Sequence, residues 1–168
     1  MRKIKLFPTR MPIEKSAGAI IFYRNKKTEY LLLHYPFGSR TKKPHSRETS
    51  LRGRDYWDFP KGHIEENEEE TDTVIREVEE ETGLDDIKII EGFKESIKYF
   101  FKSEGKTIFI TVVFYLAEVK TKEVKISGEH IGYEWLPYEE ALGQLNFKNA
   151  KEILEQANDF LTKNAAGS

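Results

Sequence analysis

Three glutamates near the middle of the chain have a spacing that suits the binding of one cation. Glu77, Glu80 and Glu81 stand at i, i+3 and i+4, so in a helix they project from one face about a turn apart. Like charges at this spacing repel each other, and a hard divalent cation such as Mg²⁺, which prefers oxygen ligands, would remove the repulsion. Arg76 lies four residues before Glu80 and can pair with it. A solvated acidic helix face is the alternative explanation of this spacing.

The segment that carries these carboxylates has the signals of a single helix. Asn67 is a good N-cap, and Glu70 three residues later completes a capping box. Gly83, followed by the apolar Leu84, is a typical helix stop. The sequence therefore predicts one acidic helix between Asn67 and Gly83.

Alternating and helical apolar patterns predict the elements around this helix. Strands are predicted over residues 16–23, 30–34, 87–101, 107–119 and 133–136, and helices over 138–142 and 147–161. Gly105 is placed at the turn of a hairpin, and residues 164–168 are predicted to fray. We expect one domain over residues 1–168, of the α/β (α+β) class, with a mixed sheet and helices on its faces.

The acidic helix belongs to a longer pattern. Gly62, Glu68 and the run Arg76-Glu-Val-Glu-Glu-Glu-Thr-Gly-Leu84 are similar to the Nudix box at every fixed position. The resemblance implies a Nudix α/β/α sandwich with a central mixed β-sheet flanked by helices. It also implies that Glu77, Glu80 and Glu81 bind one or more Mg²⁺ ions, with Mn²⁺ as an alternative, and that Arg76 orients them.

The general base of the implied hydrolysis is left open by the sequence. In the Nudix family it is in some members a glutamate of the box, which here would be Glu77. In other members it lies outside the box, and Glu129, in Ser127-Gly-Glu-His130, stands at the expected place. A solvated loop acid is the alternative interpretation of Glu129, and the commoner one for a single charged residue. Glu68 is given a supporting role near the helix N-terminus.

Four groups of residues outside the box extend the pattern: Trp57-Asp-Phe-Pro-Lys-Gly-His63, Ile90-Glu-Gly-Phe-Lys94 with Tyr99, Glu129-His130 with Tyr133-Glu-Trp-Leu136, and Asn146-Phe-Lys148. Together they resemble the asymmetrical diadenosine tetraphosphate hydrolases. The resemblance implies that Tyr99 and Tyr133 form an adenine slot and that Lys61 touches phosphate. The other residues expected to bind substrate are cationic or aromatic side chains and the box glycine: His34, Lys94, Lys106, Phe147 and Gly62. Packing is the alternative role for the aromatic residues, above all for Phe147 at the start of an amphipathic helix.

A long basic segment over residues 36–55 interrupts this resemblance. It is predicted either to clamp a polyphosphate or an RNA 5′ end, or to be a disordered solubilising loop. Its basic side chains are Arg40, Lys42, Lys43, Arg47, Arg52 and Arg54. The segment motivates an alternative function, a pyrophosphohydrolase of RNA 5′ ends or of nucleoside triphosphates. A further alternative is a non-catalytic nucleotide-binding Nudix domain.

The composition of the chain narrows the classes of function that remain. The chain has no cysteine, so thiol catalysis and disulfides are excluded, and a metal must be held by oxygen or imidazole ligands. A net charge of −2 gives no overall attraction to nucleic acid or membranes, and no apolar run reaches membrane length. We therefore expect a cytoplasmic protein whose partner is a small nucleotide substrate, with RNA not favoured and no membrane.

Overall fold

The computed structural model describes residues 11–36, 54–103 and 105–166. Most of the basic segment predicted over residues 36–55 lies outside these described residues. The helices and strands, in chain order, are β1 (Ile13–Arg24), β2 (Thr28–Tyr35), β3 (Tyr56–Asp58), β4 (Lys61–His63), α1 (Glu70–Thr82), β5 (Ile87–Ser103), β6 (Lys106–Val119), β7 (Gly132–Pro137), α2 (Tyr138–Gln144) and α3 (Lys148–Ala166). None of the helices in these ranges is long and apolar enough to cross a membrane.

Within the described residues, a seven-stranded mixed sheet is the centre of the fold. Five strands follow the order β3-β2-β1-β6-β5, while β4 pairs with β1 and β7 pairs with β2. Strands β1 and β6 run parallel, and the other pairs are antiparallel. The predicted hairpin is confirmed as β5 and β6, and the mixed sheet with flanking helices confirms the predicted fold class.

Each face of the sheet is covered by helices, which gives the three layers of the sandwich. On one face, side chains of β1 and β6 such as Ile20 and Val112 pack with α2 and α3. On the other face, Ala19 and Ile21 pack with Val74 and Val78 of α1. Because both faces of β1 are buried, its sequence is almost continuously apolar instead of alternating.

The start of α1 differs from the prediction. The N-cap is Glu69, whose backbone N–H donates to Asp72 Oδ2 at 3.2 Å, so the capping residues are Glu69 and Asp72 instead of Asn67 and Glu70. Asn67 has φ of 65° and forms the left-handed turn that precedes the helix. The predicted stop is confirmed, since Gly83 has φ of 72° and its N–H donates to Glu79 O at 2.8 Å.

Several boundaries also differ from those predicted. The segment between Trp57 and His63 contains two short strands, β3 and β4, and Gly62 lies in the second of them. Strand β5 has an irregularity between Ile89 and Lys94, so it is not evenly paired along its length. Helix α3 continues to Ala166, past the predicted end and into the segment that was expected to fray.

Candidate active site

Gly62 lies directly against a buried carboxylate of α1. In β4 it pairs with Ala17 of β1, and this brings its backbone over the middle of the helix. A Cβ atom at Gly62 would lie 1.9 Å from Glu77 Oε1, which is far inside van der Waals contact. The Glu77 residue is 1% exposed. The absence of a side chain at Gly62 is therefore what lets the carboxylate of Glu77 pack against β4.

Arg76 joins three carboxylates and one carbonyl into a network. Its Nε and Nη2 donate to the two oxygens of Glu68, at 2.6 and 3.0 Å. Its Nη1 donates to Glu77 Oε1 at 2.9 Å and to Glu80 Oε2 at 3.4 Å. Nη2 also donates to His63 O at 2.9 Å, which ties the helix to the end of β4. Arg76 thus contacts Glu77 and Glu80, and its strongest partner is Glu68.

The Arg76 guanidinium strongly favours the ionised form of Glu68. Its hydrogen bonds, followed by one from the Thr73 hydroxyl, lower the pKa of Glu68 to about 2. In turn, Glu68 and then Glu77 raise the pKa of Arg76 further above its already high value. Glu68 is therefore more than a charge near the helix N-terminus, because it fixes the residue that orients the other carboxylates.

Glu81 is held from two directions at the end of α1. Its Oε2 accepts a hydrogen bond from the backbone N–H of Lys61 at 3.0 Å. Its Oε1 lies 3.9 Å from His130 Nε2. Glu81 is 5% exposed, whereas the Glu80 side chain is 57% exposed. Of the three predicted metal ligands, Glu80 therefore has the most freedom to turn.

The donor set suits a hard divalent cation. Glu77, Glu80 and Glu81 supply only carboxylate oxygens, the ligand type that Mg²⁺ prefers, from one face of a rigid helix. In the part of the chain that the structure describes, no three acidic or imidazole groups converge on one point. The hydrogen bonds from Arg76 to Glu77 and from Lys61 to Glu81 each use one lone pair of a carboxylate, which leaves further lone pairs of the same carboxylates for a cation.

The Lys61 side chain is buried in an ion pair. Its ammonium group contacts the Asp58 carboxylate, and the two residues are 7% and 4% exposed. Asp58 also accepts a hydrogen bond from the N–H of Phe59 at 2.8 Å, so the pair fixes the turn between β3 and β4. Lys61 was predicted to touch phosphate, but here its charge is directed into the protein. Asp58, which the sequence analysis did not single out, stands three residues before it.

Glu129 lies on a loop that is attached to the end of α1. The N–H groups of Lys125 and Ser127 donate to Thr82 O at 2.9 Å and to Glu81 O at 3.3 Å. The N–H of Glu129 lies 3.4 Å from Ser127 Oγ, and its residue is exposed. The structure therefore places the outside glutamate on a loop next to Glu81, with its carboxylate facing solvent.

His34 forms a flat stack with an aromatic neighbour at the end of β2. Its ring lies parallel to Trp57, with a centroid separation of 4.3 Å and an interplanar angle of 9°. Its Nε2 is 3.6 Å from Asp55 Oδ2, and its carbonyl accepts a hydrogen bond from Ile131 N at 3.0 Å. His34 thus lies where β2 leaves the sheet, beside the start of β7.

Lys94 is part of a cluster at the other end of α1. Its Nζ lies 2.7 Å from Glu70 Oε2, and the same oxygen accepts a hydrogen bond of 2.5 Å from the Tyr115 hydroxyl. Glu70 raises the pKa of Lys94 above its ordinary value. The side chain of Lys94 is 54% exposed, so it can still meet a ligand from the solvent side.

Lys106 and Phe147, which were predicted to bind substrate, lie away from Gly62 and the α1 carboxylates. Through its pairing with Ala17, Gly62 is level with Val113 of β6, and Lys106 lies seven residues before Val113. At roughly 3.3 Å per residue, Lys106 is about 20 Å away along the strand. Phe147 is 7% exposed and packs edge-on against Tyr56 at 5.3 Å. Phe147 is therefore a core residue and does not offer a stacking surface.

The two tyrosines of the predicted adenine slot lie on strands at different places in the sheet. Tyr99 pairs with Ile110 and is partly buried against the core beneath α3. Tyr133 pairs with Leu33, whose side chain belongs to the core beneath α1. Because paired residues share a face of the sheet, the two tyrosines project from opposite faces. Tyr133 is 38% exposed and could still meet a ligand.

Comparison with known proteins is consistent with this geometry. A family model of the NUDIX domain matches residues 14–157. The pig asymmetrical bis(5′-nucleosyl)-tetraphosphatase is 35% identical, over 90% of this chain and 98% of its own. The mouse enzyme of the same name is 34% identical, over the same shares.

Solved structures show the same fold. A binary complex of the Caenorhabditis elegans Ap4A hydrolase superimposes with a TM-score of 0.70 and 27% identity. The superposition covers 89% of this chain and 98% of that one. The Gly62–Glu77 contact, the Arg76 network and the family match over most of the chain lead to one conclusion: the chain belongs to the Nudix hydrolase family.

Proposed function

We propose that this protein hydrolyses diadenosine tetraphosphate asymmetrically, to ATP and AMP, with the help of Mg²⁺. The observation that carries the proposal is the buried Glu77 carboxylate, which is packed on Gly62 and held by Arg76 on the same helix face as Glu80 and Glu81. The choice of substrate is supported by the similarity to asymmetrical bis(5′-nucleosyl)-tetraphosphatases over nearly their whole length.

The carboxylates of α1 would hold the metal. Glu77, Glu80 and Glu81 provide the oxygen ligands, and Arg76 keeps Glu77 and Glu80 in place. When bound, Mg²⁺ neutralises phosphate charge and lowers the pKa of a bound water. Mn²⁺ offers similar coordination and would replace it.

We assign the role of proton acceptor to Glu129. Glu77 is buried and accepts a hydrogen bond from Arg76, so its carboxylate is already engaged by a cation. Glu129 is exposed, on a loop whose backbone is bonded to the end of α1. A carboxylate in that position can receive the proton of an attacking water without losing a structural partner.

The nucleoside ends of the substrate need aromatic surfaces. Stacking of a base on an aromatic side chain contributes roughly 1–3 kcal/mol. Tyr133, exposed on β7, follows Glu129 by four residues, and the His34–Trp57 stack at the end of β2 is joined to the same segment by the hydrogen bond from Ile131 N to His34 O. We assign Tyr133 to adenine and His34 to the phosphate chain, with Lys94 as a further phosphate contact.

A substrate panel tests this proposal against its competitors. Diadenosine tetraphosphate, a triphosphorylated RNA and a nucleoside triphosphate are each incubated with Mg²⁺ and equal enzyme concentrations. We expect the dinucleotide to be consumed first, and Glu80→Gln to abolish turnover while nucleotide binding persists. The matched control is Glu79→Gln, an exposed neighbour that should keep full activity.

One observation favours a second candidate, the hydrolysis of RNA 5′ ends. The segment over residues 36–55 carries six basic side chains but only two acidic ones, Glu48 and Asp55. A positively charged segment of this kind attracts a phosphate backbone. Consumption of triphosphorylated RNA at enzyme concentrations that leave the dinucleotide intact would establish this function instead. Absence of turnover with every polyphosphate would favour a non-catalytic nucleotide-binding domain.

A further inference from the structure

A buried histidine stands behind one of the α1 carboxylates. The side chain of His130 is 0% exposed, and its Nε2 faces Glu81 Oε1 at 3.9 Å. This distance is longer than a direct hydrogen bond, but in a buried place the N–H dipole of an imidazole still attracts a carboxylate at this range. The His130 ring packs edge-to-face with the ring of Tyr35, with centroids 4.5 Å apart and an interplanar angle of 72°. Packing thus aims the imidazole at Glu81.

Ser127 determines which ring nitrogen faces the carboxylate. Its Oγ lies 3.0 Å from His130 Nδ1, and the His130 N–H donates to Ser127 O at 3.1 Å. A carboxylate can only accept a hydrogen bond, so in the neutral imidazole the arrangement that satisfies both sides has the proton on Nε2 and the serine hydroxyl donating to Nδ1. Ser127 therefore fixes the ring so that its N–H points to Glu81.

We propose that His130 is a positioning residue for the metal ligand Glu81, an inference that rests on the proposed metal-dependent function. Glu81 has one oxygen bonded to the Lys61 N–H and the other opposite His130. Together these two contacts define the direction in which the carboxylate presents its lone pairs. Partners that stand behind a metal ligand in this way commonly change metal affinity by about 10–100-fold when they are removed.

The same loop also couples Glu81 to the proposed proton acceptor. Glu129 directly precedes His130, and the N–H of Ser127 donates to the carbonyl of Glu81 at 3.3 Å. The loop is thus attached to Glu81 through both its backbone and the His130 side chain. Correct placement of one carboxylate therefore depends on correct placement of the other.

Two conservative substitutions separate the two ends of the imidazole. The amide of glutamine reaches the position of Nε2, so His130→Gln keeps a donor toward Glu81. The amide of asparagine reaches only the position of Nδ1, so His130→Asn keeps the contact with Ser127 and loses the one with Glu81. Both replace a buried ring by a smaller amide, and the thermal midpoints of both are measured to compare their folding.

The readout is the affinity of the substrate-free protein for Mn²⁺, measured by the loss of the free-ion EPR signal. We expect His130→Asn to weaken binding about tenfold, and His130→Gln to stay within about threefold of the wild type. In a Glu81→Gln background, His130→Asn should cause no further loss, because it acts through Glu81. Equal affinities in the two histidine variants, or an additive loss in the Glu81→Gln background, would overturn the proposal.

This experiment also separates the inference from the proposed function. Mn²⁺ binding is measured without nucleotide, so the histidine effect can be established even if diadenosine tetraphosphate is not cleaved. Conversely, the dinucleotide could be cleaved while the two variants bind Mn²⁺ with equal affinity. That result would support the proposed hydrolysis and exclude the positioning role of His130. A wild-type protein that binds no Mn²⁺ would overturn both.

Discussion

Gly62 is a residue at which the addition of a single methyl group should strongly reduce activity. A methyl group there would occupy the place of the Glu77 carboxylate, which is buried and bonded to Arg76. We expect Gly62→Ala to keep the fold and to lower kcat by about 100-fold, the order of loss that follows a misplaced catalytic group.

A matched glycine provides the control for this substitution. Gly143 lies within α2 and has no atom within 4 Å of the position of an added Cβ. Gly143→Ala should keep full activity and raise stability by about 0.5–1 kcal/mol, as alanine does in a helix. Steady-state kinetics and urea unfolding measure both variants. Equal kcat values in the two would contradict the role of the Gly62–Glu77 contact.

Substitution of Lys61 tests whether its ammonium group stabilises the fold or binds phosphate. Removing its charge leaves Asp58 buried without its ion-pair partner, which commonly costs about 3–5 kcal/mol. We therefore expect Lys61→Met to lower the free energy of unfolding by that order, and the double substitution with Asp58→Asn to recover more than half of the loss. If Lys61 instead binds phosphate, Lys61→Met would raise KM and leave urea unfolding unchanged.

The ion pair of Glu68 gives a pH dependence with a defined sign. Its pKa falls from 4.5 to about 2 on folding, so its contribution is present above pH 4.5 and is lost as the pH falls toward 2. Glu68→Gln should lower the thermal midpoint at pH 7, and its difference from the wild type should shrink below pH 4.5. The exposed Glu79→Gln is the control. A difference that stays constant from pH 7 to pH 3 would contradict the assignment.

The roles of individual residues could be predicted from the sequence only in part. The positions of Glu77, Glu80, Glu81 and Arg76 follow from helical spacing, because the geometry of a helix is the same in every fold. The burial of Lys61 and the partner of Glu68 depend on β3 and β4 and on the turn before α1, which the sequence analysis did not anticipate. In the sequence, His130 appears only as the last residue of Ser127-Gly-Glu-His130. Its contact with Glu81 depends on the path of the loop that carries these residues.

Among the elements, α1 shows how a helix can be predicted correctly except for its start. Asparagine is a preferred N-cap residue and glutamate is not, so propensity alone favoured Asn67 over Glu69. The structure uses Asn67 for a left-handed turn, with φ of 65°, and begins the helix after Glu69. Asparagine tolerates both conformations, so its type did not distinguish them.

The left-handed turn can be tested directly. Glycine adopts positive φ without strain, whereas a β-branched side chain does so at a cost of roughly 1–2 kcal/mol. Asn67→Gly should therefore leave the free energy of unfolding within about 0.5 kcal/mol of the wild type, and Asn67→Val should lower it by about 1–2 kcal/mol. Urea unfolding measures both. If Asn67 is the N-cap instead, Asn67→Gly would again change the free energy of unfolding little. In that case Asn67→Ser would be as stable as the wild type, and Glu69→Gln would leave the free energy of unfolding unchanged.

For the molecule as a whole, the strands and the mixed sheet were predictable, but their order was not. Apolar alternation identifies a strand from nearby residues alone. Which face a side chain occupies depends on pairing with distant strands, and a shift of one residue exchanges the faces. Tyr99 and Tyr133 are an example, since β2, β1 and β6 separate β7 from β5 and the two rings lie on opposite faces of the sheet.

The most direct test of the central claim is an analysis of the products formed from diadenosine tetraphosphate. The dinucleotide is incubated with the protein and Mg²⁺, with and without chelator, and the products are separated by ion-exchange chromatography. We predict equimolar ATP and AMP, and no products when the chelator is present. Two molecules of ADP, or cleavage that continues in excess chelator, would contradict the proposed asymmetrical, metal-dependent hydrolysis.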